Sequence, residues 1–245
     1  MVRSTTMKKT ILALTVIPLW ISNVSAESFT FNSFGGQSSL AIPDGNGTGV
    51  SDLQTISSSI TSIGSITVSL DISGMSGGAY NGDFYVYLQH DSGLAVLLNR
   101  PGKSSDVQSD PGYFGYGDNG FNIQLRDSAA NGDIHVYQTK VTPSGQNQLG
   151  GLWQPDGRIA DPDHVVTTDS RNNLLSVFNG ADANGSWRLF LSDNSGQAAG
   201  QLNSWGLDFA PVPEPEQWAA ISGAGLLGFA IWRRRKQNSA TVPSI

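Results

Sequence analysis

The chain has 245 residues, no cysteine and a net charge of −6. Without thiols, a disulfide scaffold and a cysteine-ligated metal centre are excluded. Residues 27–211 hold 7 Lys and Arg against 18 Asp and Glu, a balance of −11, which argues against nucleic acid and anionic lipid as partners. In chain order, the first element is an export signal. Arg3, Lys8 and Lys9 precede an apolar run from Ile11 to Ile21, and Val24-Ser25-Ala26 puts small residues at the −3 and −1 positions. Residues 1–26 therefore read as a signal peptide, with signal peptidase expected to cut after Ala26. Met7 offers an alternative start.

The body, residues 27–210, is predicted to be all-β. Ser65 to Ile72 alternates polar and apolar residues, and Phe84, Val86 and Leu88 share one face. Trp187, Leu189 and Leu191 repeat the pattern, as do Trp205, Leu207 and Phe209. Period two means half-buried strands. Many such strands with Gly, Ser, Asn and Asp between them predict an antiparallel sandwich or barrel. We expect two packed sheets with aromatic residues inside. Residues 145–171, rich in Gly, Pro, Asp and Gln, are expected to form a long irregular excursion. Of the 18 acids in the body, 17 are Asp. Asp favours turns and also supplies hard oxygen ligands.

Catalytic patterns are weak. Gly74-Met75-Ser76-Gly77-Gly78 matches a nucleophile elbow but lies among strands rather than between a strand and a helix. His90-Asp91-Ser92 holds three triad residue types, but strand neighbours point to opposite faces. His135, between Ile134 and Val136, is expected to face solvent. His164 stands alone in the long excursion. Asp44 to Asp52 imitates a calcium loop, but Thr55 occupies the place of the bidentate Glu. Tyr85, Tyr87, Tyr113 and Tyr116 are candidate stacking groups for a ligand. No enzyme activity is expected.

The C-terminus has three parts. A Pro-rich linker covers 211–217, a hydrophobic segment with a basic stop covers 218–236, and a polar tail covers 237–245. The uncharged run Trp218–Trp232 has 15 residues, roughly 22 Å of helix against a hydrocarbon core of ~30 Å. Val212, Pro213, Glu214 and Pro215, then the apolar run, then Arg233, Arg234 and Arg235 resemble the PEP-CTERM sorting signal of Gram-negative bacteria. That resemblance implies transient insertion in the inner membrane as a hydrophobic sorting helix and processing by an exosortase. It implies delivery to the cell surface or an extracellular matrix, with exopolysaccharide or envelope proteins as partners.

Within the body, Ala41-Ile42-Pro43-Asp44, Asn81 to Leu88, Leu175 to Gly180, Asn184 to Leu189, Leu191 to Asn194 and Gly200 to Phe209 occur in order. The series resembles the P domain, or Homo B domain, found beside subtilisin-like proprotein convertases. The resemblance spans about 29–209 and implies a jelly-roll-type antiparallel β-sandwich without catalytic residues. Gly74 to Tyr80 departs from the family's usual step there. P domains tend to carry acids where Asp83, Asp127 and Asp193 stand, and converging loops would make these a calcium site. The expected function is that of an exported, non-catalytic envelope or matrix component. A carbohydrate- or protein-binding module, or an accessory domain for a separately encoded protease, are the alternatives.

Overall fold

The computed structural model describes residues 25–76, 78–91, 93–145, 147–212 and 215–239. Two compact units result, Val24–Pro213 and a unit that includes the C-terminal helix. The first is a β-sandwich. Its strands are β1 (Glu27–Phe31), β2 (Leu40–Ala41), β3 (Asn46–Ile56), β4 (Ile63–Gly74) and β5 (Phe84–His90), followed by β6 (Gly93–Asn99), β7 (Gly120–Leu125), β8 (Leu149–Trp153), β9 (Gly185–Asp193) and β10 (Gly200–Pro211). One sheet has the order β1-β10-β4-β7-β8, with β2 also on β10, and the other β3-β9-β5-β6.

Alternation decides which faces meet. Val68, Leu70 and Ile72 of β4 and Leu207 and Phe209 of β10 point inward from the larger sheet. Phe84, Val86 and Leu88 of β5 and Leu189 and Leu191 of β9 point inward from the smaller. All are essentially fully buried, and each contributes about 1.5–3 kcal/mol by leaving water. Trp187 packs on Phe209 at 5.2 Å between ring centroids. Trp205 donates Nε1–H to Asp52 Oδ2 on β3 at 2.7 Å, so its polar edge is satisfied in the opposite sheet. A bulge between Asn46 and Val50 lets β3 follow β9. Gly49 sits there with φ +58°, and a Cβ would run into the Leu191 carbonyl.

Two expectations need correction. The sandwich is not purely antiparallel, because β8 pairs with β7 in parallel. The excursion at 145–171 is also not wholly irregular, since it contains β8. Two glycines break the alternation in β8, so its pairing depends on a distant strand rather than on local pattern.

The second unit contributes α1 (Pro215–Ser239). Leu226, Leu227, Phe229, Ile231 and Trp232 of α1 are exposed. Among the described residues, no helix is long and apolar enough to cross a membrane. Residues 1–24, which carry most of the expected signal peptide, and Pro213 and Glu214 of the sorting motif lie outside the described residues.

Candidate functional site

The pairing of β5 with β9 sets Phe84 opposite Asp193. Asp83, at the end of a 3-10 turn over Asn81–Asp83, therefore comes beside the last residue of β9. Asn81 pins that turn. Its Nδ2 donates to the Gly120 carbonyl at 3.1 Å, and its Oδ1 accepts the Gly120 N–H at 2.6 Å. Asp83 and Asp193 are both buried. Asp193 Oδ1 accepts from Ser195 N–H at 3.2 Å and Gly45 N–H at 3.5 Å. Its Oδ2 is buried and has no hydrogen-bond partner among the described residues. Asp44 approaches from the segment before β3, its Oδ2 held by Gln197 N–H at 3.2 Å.

Arg100 supplies the local positive charge. It is buried, with Nε–H donating to the Gly82 carbonyl at 2.8 Å. Its Nη2 stands 3.7 Å from Asp83 Oδ1, an ion pair without a hydrogen bond. One guanidinium does not balance the surrounding carboxylates. Burial, then the Asp193 charge, push Asp83 up to about 7, although Arg100 pulls the other way. Burial likewise pushes Asp193 up to about 6, against the hydrogen bonds from Ser195 and Gly45. A cleft of about 260 Å³ opens beside the pair, lined by Tyr80, Asp83, Phe114, Ser195, Gly196 and Gln197. Two desolvated carboxylates with an orphaned oxygen suit a shared proton or a hard cation.

Asp127 is not part of this group. Its carboxylate accepts the N–H groups of Leu175 at 3.0 Å and Ser176 at 2.7 Å, capping a 3-10 turn. It lines a hollow with Ser65 and Ile66, near one end of β4. The acid pair lies near the other end, where Gly200 pairs with Gly74 and contacts Phe84. The three expected ligands therefore do not converge. Among the described residues, no group of three or more His, Cys, Asp or Glu side chains is placed to hold a metal. Asp44 and Arg100 complete the acid pair's surroundings, and neither was singled out for it. The calcium-loop imitation that begins at Asp44 was the hint available for that residue.

The other candidates serve the structure. His135 is fully buried rather than solvent-facing. It lies in a 3-10 segment, Ile134–Thr139, where the period-two argument does not apply. Its Nδ1 is 2.8 Å from Asp156 Oδ2 and its Nε2 2.8 Å from the Lys103 carbonyl. His90 stacks on Trp187 at 4.0 Å, both ring nitrogens facing the carbonyls of Ser186 and Asp182. His164 is exposed, 3.7 Å from Asp106. Ser76 sits in a turn closed by Gly78 N–H to the Met75 carbonyl, and the next element is the short 3-10 turn Asn81–Asp83 rather than an α-helix. Ser92 lies outside the described residues. The calcium-loop imitation from Asp44 is strand from Asn46 onward. Tyr87 stacks on Phe190 at 4.7 Å and Tyr85 joins them. Tyr116 packs on Tyr137 and Tyr113 lies under the Lys103 ammonium, so the four tyrosines do not form one group.

The family model of the proprotein convertase P-domain matches residues 131–209. The match takes in β8, β9 and β10 and supports the resemblance over that part of the body. No curated protein matches the chain. Among solved structures, the serine protease of Aeromonas sobria in complex with the chaperone is similar at 16% identity and a TM-score of 0.40, over 79% of this chain and 28% of that one. The serine protease of Aeromonas sobria alone gives 15% identity and a TM-score of 0.39, over 77% and 27%. The chain thus spans about 28% of the length of the protease chain it matches.

Proposed function

We propose that this is an exported, non-catalytic β-sandwich protein of jelly-roll type, acting as an accessory domain for a subtilisin-like protease on a separate chain. The P-domain match over 131–209 carries this reading. The environments of His90 and His135 support a non-catalytic role, because both rings are buried and held by carbonyl or carboxylate oxygens. The PEP-CTERM-like tail supports sorting through the inner membrane by an exosortase, ending at the cell surface or in the exopolysaccharide matrix. Calcium, on the same reading, would bind at Asp83 and Asp193 without Asp127. The test of the accessory role is crosslinking and purification of the tagged full chain from its native envelope, followed by mass spectrometry. A subtilisin-like protease is expected in the eluate, with its thermal inactivation slowed by added chain. Recovery without any protease would overturn the reading.

A further inference from the structure

The outer face of the larger sheet has an unusual chemistry for a solvated surface. The strands β4, β7, β8 and β10 contain no Lys, Arg or Glu. Their outward positions carry mainly short hydroxyl, amide and Asp side chains instead. Pairing sets Asp71 between Asn122 on β7 and Ser204 on β10, and sets Ser69 beside Gln124. These five residues line a cleft of about 550 Å³. Gly150 opposes Asn122 across the β7–β8 pair and leaves that side of the cleft open.

The polar groups divide into two sets. Asp71 is positioned, because its Oδ1 accepts from Gln148 Nε2 at 2.8 Å and from Asn203 Nδ2 at 3.0 Å. Gln148 is itself fixed by the carbonyls of Ile72 and Phe121, at 2.9 and 3.2 Å. With Oδ1 occupied, Oδ2 remains available. The side chains of Ser69, Asn122, Gln124 and Ser204 make no hydrogen bond to any other described residue. A held carboxylate is therefore surrounded by donors and acceptors with no protein partner, in a concave surface.

We propose that this face binds a neutral, hydroxyl-rich glycan strand. Vicinal hydroxyl groups both donate and accept, so they can pair with the amides and with Asp71 Oδ2 together. Asp71 and the acidic body disfavour phosphate, sulfate and uronic acids. A protein partner fits less well, because protein interfaces are centred on aromatic and apolar anchors. Of the apolar residues lining this cleft, Leu70 and Ile123 are buried and Leu152 is half-buried. Binding here does not depend on any protease.

The test is gel electrophoresis of the full chain through β-glucan, mannan or xylan, with alginate as the acidic comparison. At least one neutral glycan should retard the chain, and alginate should not. Asn122→Ala with Gln124→Ala should weaken retardation about tenfold, the equivalent of one or two lost hydrogen bonds. Both side chains are exposed, so an unchanged thermal melt is expected and is checked alongside. Retardation by no neutral glycan, or equal retardation of the double variant, would overturn the proposal. So would the loss of a protein partner in that variant without any glycan binding, which would assign the face to that protein.

Discussion

Replacing Asp83 by Asn removes a charge that the fold holds at a cost. The Asp83 carboxyl is raised from 3.8 to about 7, chiefly by burial and then by Asp193. A raised acid binds its proton more tightly in the folded state. Its stabilising effect is therefore complete below 3.8 and is lost as the pH climbs to about 7. Each pKa unit corresponds to about 1.36 kcal/mol, so the loss approaches roughly 4 kcal/mol above neutral pH. The Asn variant should escape most of this, and forfeits only the 3.7 Å attraction to Arg100. At pH 8 and without calcium we expect it to be more stable by about 2–4 kcal/mol, or roughly 5–15 °C in Tm for a body of this size. At pH 4 the two proteins should melt within a few degrees of each other. Thermal melts from pH 4 to 8 with chelator read this directly. Calcium adds a second arm. Saturation at 100 times Kd would raise the wild-type stability by about 2.7 kcal/mol, and the Asn variant should lose that response. A variant that melts lower at pH 8 and keeps the wild-type pH slope would refute the charge argument. An equal calcium response in both proteins would remove the cation from this pair.

Asp127→Ala should cost about 1–3 kcal/mol in urea unfolding, because the Leu175 and Ser176 N–H groups lose their acceptor; its calcium response should match wild type, and loss of that response would restore Asp127 as a ligand. Trp187→Ala opens a void between His90, Phe178 and Phe209, for which equilibrium unfolding should show a loss of about 3–5 kcal/mol; a near-neutral result would mean the sheets are not sealed there. Mass spectrometry of the chain from its native host should find a mature N-terminus at Glu27 and loss of Arg233 to Lys236, whereas Pro213→Ala, Glu214→Ala, Pro215→Ala should keep that basic cluster in the inner membrane. Full-length wild type in that membrane would leave a plain anchor.

The strands that could be read in advance are those half-buried on one face. Val68, Leu70 and Ile72, and likewise Leu189 and Leu191, show their partner sheet through period two alone. β8 could not be read this way. Its Gly150 and Gly151 carry no pattern, and its place is fixed by parallel pairing of Phe121 with Leu149 and Leu125 with Trp153. His135 was misplaced for a related reason. Ile134 is buried and Val136 is not, but a 3-10 turn between them carries His135 inward to Asp156 and Lys103.

The acid site shows a different limit. Positional likeness to a family grouped Asp83, Asp127 and Asp193, and that grouping says nothing about which end of a strand each acid occupies. The β5–β9 register joins the first and the last. Asp127 follows β7, whose Leu125 pairs with Val68, and so it falls toward the opposite end of β4. Charge count was silent as well. Of the 17 aspartates in the body, 14 are exposed or half-buried, where water screens them. Asp83 and Asp193 differ because the closing of two sheets removes that water while Arg100 supplies only one compensating charge. Burial without full pairing is a property of the packed sandwich. It makes the pair, rather than any local motif, the place where pH acts on this fold and the place where the calcium proposal is tested.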